Sequence, residues 1–131
     1  MKIKRDDDVL LVTGVIARTD RDVDGQMLEG DWLDRELLLW LKRGGNVTIN
    51  FQGDPVARCI EMFADGEARY GTVQIFTDEA KRLIQADALK GLSISIANAQ
   101  VQTSDEAPNG KVTEGRIHQV SLLNQPFWAD E

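Results

Sequence analysis

Apolar positions recur along this chain in two rhythms. Val9 to Ala17 reads VLLVTGVIA, a short β-branched run bounded by Asp-rich sequence, and predicts a strand. Gly14 within it marks a bulge or a close backbone approach. A polar stretch with two glycines follows, Arg18 to Gly30. The rhythm then changes to helical spacing at Trp32, Leu33, Leu37, Leu38, Trp40 and Leu41. Asp31 serves as N-cap, Glu36 suits the early turns, Lys42 and Arg43 the last turn, and Gly44-Gly45 the stop. Trp32 and Trp40 lie among leucines and are expected in the core.

Asn46 to Phe51 alternates with Val47, Ile49 and Phe51 on one face and Thr48 and Asn50 on the other. Gln52 to Pro55 reads as a turn. Val56 to Phe63 and Ala68 to Phe76 read as a hairpin around Asp65-Gly66. Thr77 caps a second helix with an apolar stripe at Ala80, Leu83, Ile84 and Leu89, ended by Gly91. Leu92 to Val101 has period two, a polar loop holds Pro108-Asn109-Gly110, and Lys111 to Leu123 is the last long strand, closed by Pro126. Hairpin-linked strands with two inserted helices predict an α+β domain, a mostly antiparallel sheet or small barrel, occupying residues 1–131 as a single unit.

Composition narrows the function. With 15 basic and 22 acidic residues the net charge is −7, which argues against a nucleic-acid partner, since displacing counterions from phosphates needs a surplus of Lys and Arg. The lone Cys59 cannot make an internal disulfide and reads as a small buried apolar residue. One Cys and one His cannot supply a zinc site, so no metal is expected there, and no cofactor motif is present. Asp20-x-Asp22-x-Asp24-Gly25 matches the first half of a calcium-binding loop. A strand stands where the entering helix belongs, however, and Asp31 holds the twelfth position, so a solvated acidic loop is expected. No secretory signal and no membrane-spanning run is expected.

On the strand after the second helix, Ser93 and Ser95 share a face opposite Leu92, Ile94 and Ile96. They are either a nucleophile with a supporting hydroxyl or the solvent side of a one-sided strand. Ala88-Leu89-Lys90-Gly91-Leu92-Ser93-Ile94-Ser95 resembles the helix-to-strand segment around the nucleophile of tailed-phage prohead proteases, capsid-maturation enzymes similar in fold to the herpesvirus assemblins. Three more blocks resemble the family in its order. They are Gly14 to Ala17 with the Asp20–Gly25 loop and Gly30–Leu33, then Val47 to Pro55, then Ile117 to Leu123 with Pro126.

The resemblance runs from about Leu10 to Pro126 and implies an assemblin-like fold with Ser93 at the nucleophile position. It also exposes departures. The histidine position falls on Gly53 if Gln52-x-Asp54-Pro55 is matched, or on Phe51 if distance to Val56-Ala57 is matched; neither is a base. The third position is Gln119, which can orient a neighbour but carries no charge to stabilise an imidazolium. His118, next to it, is expected on the opposite face unless a one-residue bulge turns it towards Ser93. Lys90 is another conceivable base, at a helix end where a solvated lysine suits the C-terminal dipole. Phe127 and Trp128, after Pro126, either fold back or anchor a partner. The resemblance implies a capsid-associated structural or assembly protein, such as a cement, decoration or scaffold-associated component, without catalysis. It would bind the major capsid protein or scaffold as a homo-oligomer, in the virion or in the host cytoplasm during assembly. The competing implication is an active serine endopeptidase that processes scaffold and capsid proteins.

Overall fold

A computed structural model of the chain describes residues 1–6, 8–21 and 25–125. The elements run β1 (Lys2–Asp6), β2 (Val9–Arg18), β3 (Met27–Leu28), α1 (Gly30–Lys42), β4 (Asn46–Ile49), β5 (Gln52–Asp65), β6 (Ala68–Ile75), α2 (Asp78–Gln85), β7 (Gly91–Gln102) and β8 (Lys111–Leu123). Among the described residues the strands form one sheet in the order β1-β2-β6-β5-β4-β8-β3, with β7 also paired to β8. The sheet is mixed rather than purely antiparallel, because both β3 and β4 run parallel to β8. Parallel neighbours need a crossover, and the β5–β6 hairpin with α2 and β7 supplies it between β4 and β8. The sheet curls until β7 lies against β2, which encloses the core.

That core is built from the apolar faces expected of these elements. Leu10 and Val12 of β2, Val47 of β4, Val73 and Ile75 of β6, Leu92 of β7, and Val120 and Leu122 of β8 all belong to it. α1 adds Trp32, Leu33, Leu37 and Trp40, and α2 adds Ala80 and Ile84. Cys59 is buried in the same cluster, and loss of hydration pushes its thiol pKa up. The Trp32 indole Nε1 donates to the Gly115 carbonyl of β8 at 3.0 Å, so the buried ring has its polar atom satisfied. No helix among the described residues is long and apolar enough to cross a membrane.

Several boundaries differ from the sequence expectation for local reasons. α1 begins at Gly30, with Glu29 as N-cap: its carboxylate accepts from the Trp32 N–H, leaving Asp31 in the first turn. α2 stops at Gln85, and Asp87 takes a left-handed conformation (φ 59°) well before Gly91. The strand expected to reach Phe51 ends at Ile49, because Asn50 and Phe51 both have positive φ (50° and 58°) and reverse the chain. Gln52 to Pro55, expected as a turn, therefore opens β5. At Gly14 the close approach is real: a Cβ there would stand 2.9 Å from Met1 Cγ. The β2 irregularity lies one step on, between Val15 and Ala17.

Candidate functional site

The family-like positions gather on β7, β8 and β4. Register sets them side by side. Ser93 of β7 pairs with Ser121 of β8, and Thr48 of β4 pairs with the same Ser121 from the other side. Cross-strand partners share a face, so three hydroxyls stand in a row on three neighbouring strands. All three residues are buried: Ser93 is 4% exposed, Thr48 6% and Ser121 0%. Ser93 is therefore not on a solvent-washed face, the plainer of its two readings.

Ser121 is the hub. Its Oγ shares a hydrogen bond with Thr48 Oγ1 at 2.6 Å and accepts the Phe51 N–H at 2.7 Å. The second contact fixes the left-handed Asn50-Phe51 reversal against β8, and Asn50 N–H donates to the Leu122 carbonyl at 3.0 Å beside it. A bulky residue at positive φ is an outlier held by its surroundings, and here the holding group is a serine hydroxyl. Neither Ser121 nor Thr48 was singled out from sequence. The signal was present in the alternation of Val47 and Ile49 against Thr48, and in Ser121 lying between Val120 and Leu122.

His118 is where the structure departs from simple alternation. Ser95 pairs with Gln119 but Ile96 pairs with Ile117, so β8 carries one extra residue, a β-bulge at His118. Ile117 and Val120 both point into the core. His118 and Gln119 between them must then both face away from it. The expectation that adjacent residues point to opposite faces is corrected here, because a bulge suspends period-two alternation.

The bulge does not deliver the imidazole to Ser93. His118 and Gln119 line an open cavity of about 280 Å³ with Thr48, Arg43, Asn46 and Gly53, on the β4 side of β8; Ser93, on the β7 side, is not part of its wall. His118 lies three residues along β8 from Ser121, the residue that pairs with Ser93. Among the described residues no side chain is hydrogen-bonded to the Ser93 hydroxyl.

The two candidate histidine positions also have definite places. Gly53 lies on the cavity wall with φ 77°, and a Cβ built on it would meet nothing within 4 Å. Phe51 is the residue whose N–H is held by Ser121. Lys90 lies beside Asp87: its Nζ is 3.8 Å from the Asp87 carboxylate, and its side chain is substantially exposed. In the acidic loop, Asp20 is hydrogen-bonded and ion-paired to Arg18 at 2.9 Å, which holds its carboxyl below the ordinary range. Asp22 and Asp24 lie outside the described residues, as do Phe127 and Trp128. No cluster of His, Cys, Asp and Glu among the described residues could hold a metal ion.

The architecture is a prohead-protease-like fold. It matches a solved structure, that of the bacteriophage T4 capsid assembly protease, gp21, with a TM-score of 0.70 over 87% of this chain and 81% of that one, at 12% identity. No protein-family model matches the chain, and no curated protein does either.

Proposed function

We propose that this chain is a component of tailed-phage capsid assembly that uses a prohead-protease fold as a structural or docking scaffold and does not cut. The observation that carries this reading is the neighbourhood of Ser93. Its cross-strand partner is a hydroxyl, Ser121, itself committed to Thr48 and Phe51, while both candidate histidine positions, Phe51 and Gly53, lack a base. A serine without a proton acceptor is a poor nucleophile, and loss of the base lowers rates by several orders of magnitude. An oxyanion site alone leaves only feeble hydrolysis. In this reading the partners are the major capsid protein or scaffold, engaged by a homo-oligomer, in the virion or in the host cytoplasm during assembly. The likeness to a capsid assembly protease supports that setting.

The decisive experiment is treatment of the purified chain with a fluorophosphonate probe, alongside incubation with phage scaffold. Absence of labelling and of cleavage is expected. Covalent labelling at Ser93, lost in Ser93→Ala, would overturn the proposal. It would establish the competing reading, an active serine endopeptidase with an unusual base. One feature favours that second reading: the bulge that puts His118 on the same side of β8 as Gln119. Labelling lost in His118→Gln as well as in Ser93→Ala would assign the imidazole as that base.

A further inference from the structure

β1 is the outermost strand at one end of the sheet order, and among the described residues it pairs only with β2. Its other edge therefore carries backbone N–H and C=O groups that no strand among the described residues meets, a template for strand addition. The side chains on this edge are unusual for a chain of charge −7: β1 reads KIKRD, with three basic residues in five. Lys2 and Lys4 pair with Thr13 and Leu11 and share one face; Ile3 and Arg5 share the other. Arg5 is taken up by the Gln85 amide of α2, at 2.9 and 3.0 Å. Lys2 and Lys4 are exposed and have no ion pair among the described residues, and Ile3 is 52% exposed.

We propose that the free edge of β1 docks an extended acidic segment of another protein, which adds to the sheet as a further strand. Backbone hydrogen bonds would supply affinity, and the alternation would supply specificity: carboxylates facing Lys2 and Lys4, an apolar residue facing Ile3. Lysines on an edge discourage indiscriminate pairing. They do so by charge, and charge discriminates by sign. A second copy brought edge to edge, antiparallel and centred on Lys4, would set the two Lys4 side chains against each other, so that lysine meets its own sign. An acidic strand meets the opposite sign. The inference does not rest on the capsid reading and stands or falls separately from it.

The test uses the whole chain and a fluorescent extended peptide alternating Glu and Val, read by anisotropy at low salt. Binding is expected, weakened at least ~10-fold by the double charge reversal Lys2→Glu with Lys4→Glu, and weakened by added salt. A peptide with Lys in place of Glu should not bind. The peptide with alternate backbone nitrogens methylated should also lose binding, because it cannot pair as a strand, and amide exchange of β1 should slow only with the unmethylated form. Three results would each sink the proposal: no binding up to about 1 mM peptide, binding indifferent to N-methylation, or self-association of the chain that the charge reversal abolishes. Both lysines are exposed, so the variant keeps its fold, which a circular dichroism melt verifies.

Discussion

Replacing Ser121 by alanine isolates the group that holds the hydroxyl row together. The lost oxygen is fully buried, accepts the Phe51 N–H at 2.7 Å and shares a hydrogen with Thr48 at 2.6 Å. Its removal leaves a backbone N–H at a left-handed position and a nearly buried threonine hydroxyl without their partner. A buried polar group left unmatched costs about 1–3 kcal/mol. The Thr48 hydroxyl recovers part of its share by rotating, so the sum expected is about 2–4 kcal/mol. A chain of this length loses roughly 3–4 °C of Tm per kcal/mol, which puts the fall at about 6–16 °C. Ser93→Ala is the internal control. Ser93 occupies the same row and is almost equally buried, but no side-chain hydrogen bond holds its hydroxyl, so its removal should cost less than about 1 kcal/mol. Urea unfolding of the two variants, with unchanged m-values, reads the difference directly. Equal destabilisation of both would refute the assignment of Ser121 as the hub.

Three further outcomes follow from local geometry. In Gly71→Ala the new Cβ would stand 2.2 Å from Ile16 Cδ1 and 3.6 Å from Cys59 Sγ, overpacking the core by about 1–3 kcal/mol, measurable by chemical denaturation. The Cys59 thiol is pushed up by burial, so native protein should react slowly with iodoacetamide. Because the unfolded thiol ionises first, stability should decline as pH rises past about 9, a decline that Cys59→Ala removes. Asp20 is held low by Arg18, so the pair's contribution is present above the unfolded carboxylate value and is lost as pH falls through the depressed folded one. Arg18→Gln should move the Asp20 carboxyl titration upward in NMR while changing stability by less than about 1 kcal/mol, since the pair is partly exposed and screened.

Long apolar patterns were legible in the sequence, and short-range exceptions to them were not. The two helices and the strands at Val9, Val56, Ala68, Leu92 and Lys111 follow from periodicity that burial later satisfies. β1 was hidden because KIKRD has only one apolar residue; it is a strand because β2 beside it is, an outcome of tertiary pairing rather than propensity. β3 is two residues long and owes its existence to β8. The end of β4 was missed because neither Asn50 nor Phe51 announces positive φ, and the hydroxyl that stabilises the reversal lies on β8, 70 residues away. The site positions Ser93, His118 and Gln119 could be located on their strands from sequence, but their mutual geometry could not. It depends on a bulge that only the β7–β8 register exposes.

The bulge itself makes a sharp prediction about deletions in a strand paired on both sides. Removing one residue from such a strand ordinarily turns every side chain beyond it to the wrong face. At His118 the opposite should hold. With that residue gone, Gln119 opposite Ser95 and Ile117 opposite Ile96 become consecutive pairs, and Ile117, Val120 and Leu122 keep their places in the core. The deletion should therefore cost no more than about 1–2 kcal/mol, a loss typical of a point substitution, with Tm lowered by a few degrees. Deleting Gln119 should be tolerated for the same reason, and it moves the imidazole opposite Ser95. Deleting Val120 should unfold the domain, since it draws Gln119 into a core position. Thermal melts of the three variants separate these cases. Failure of the His118 deletion to fold, matching the Val120 deletion, would mean that the extra residue supports β8 rather than merely interrupting it. Removal of the imidazole would then have to be tested by His118→Gln instead.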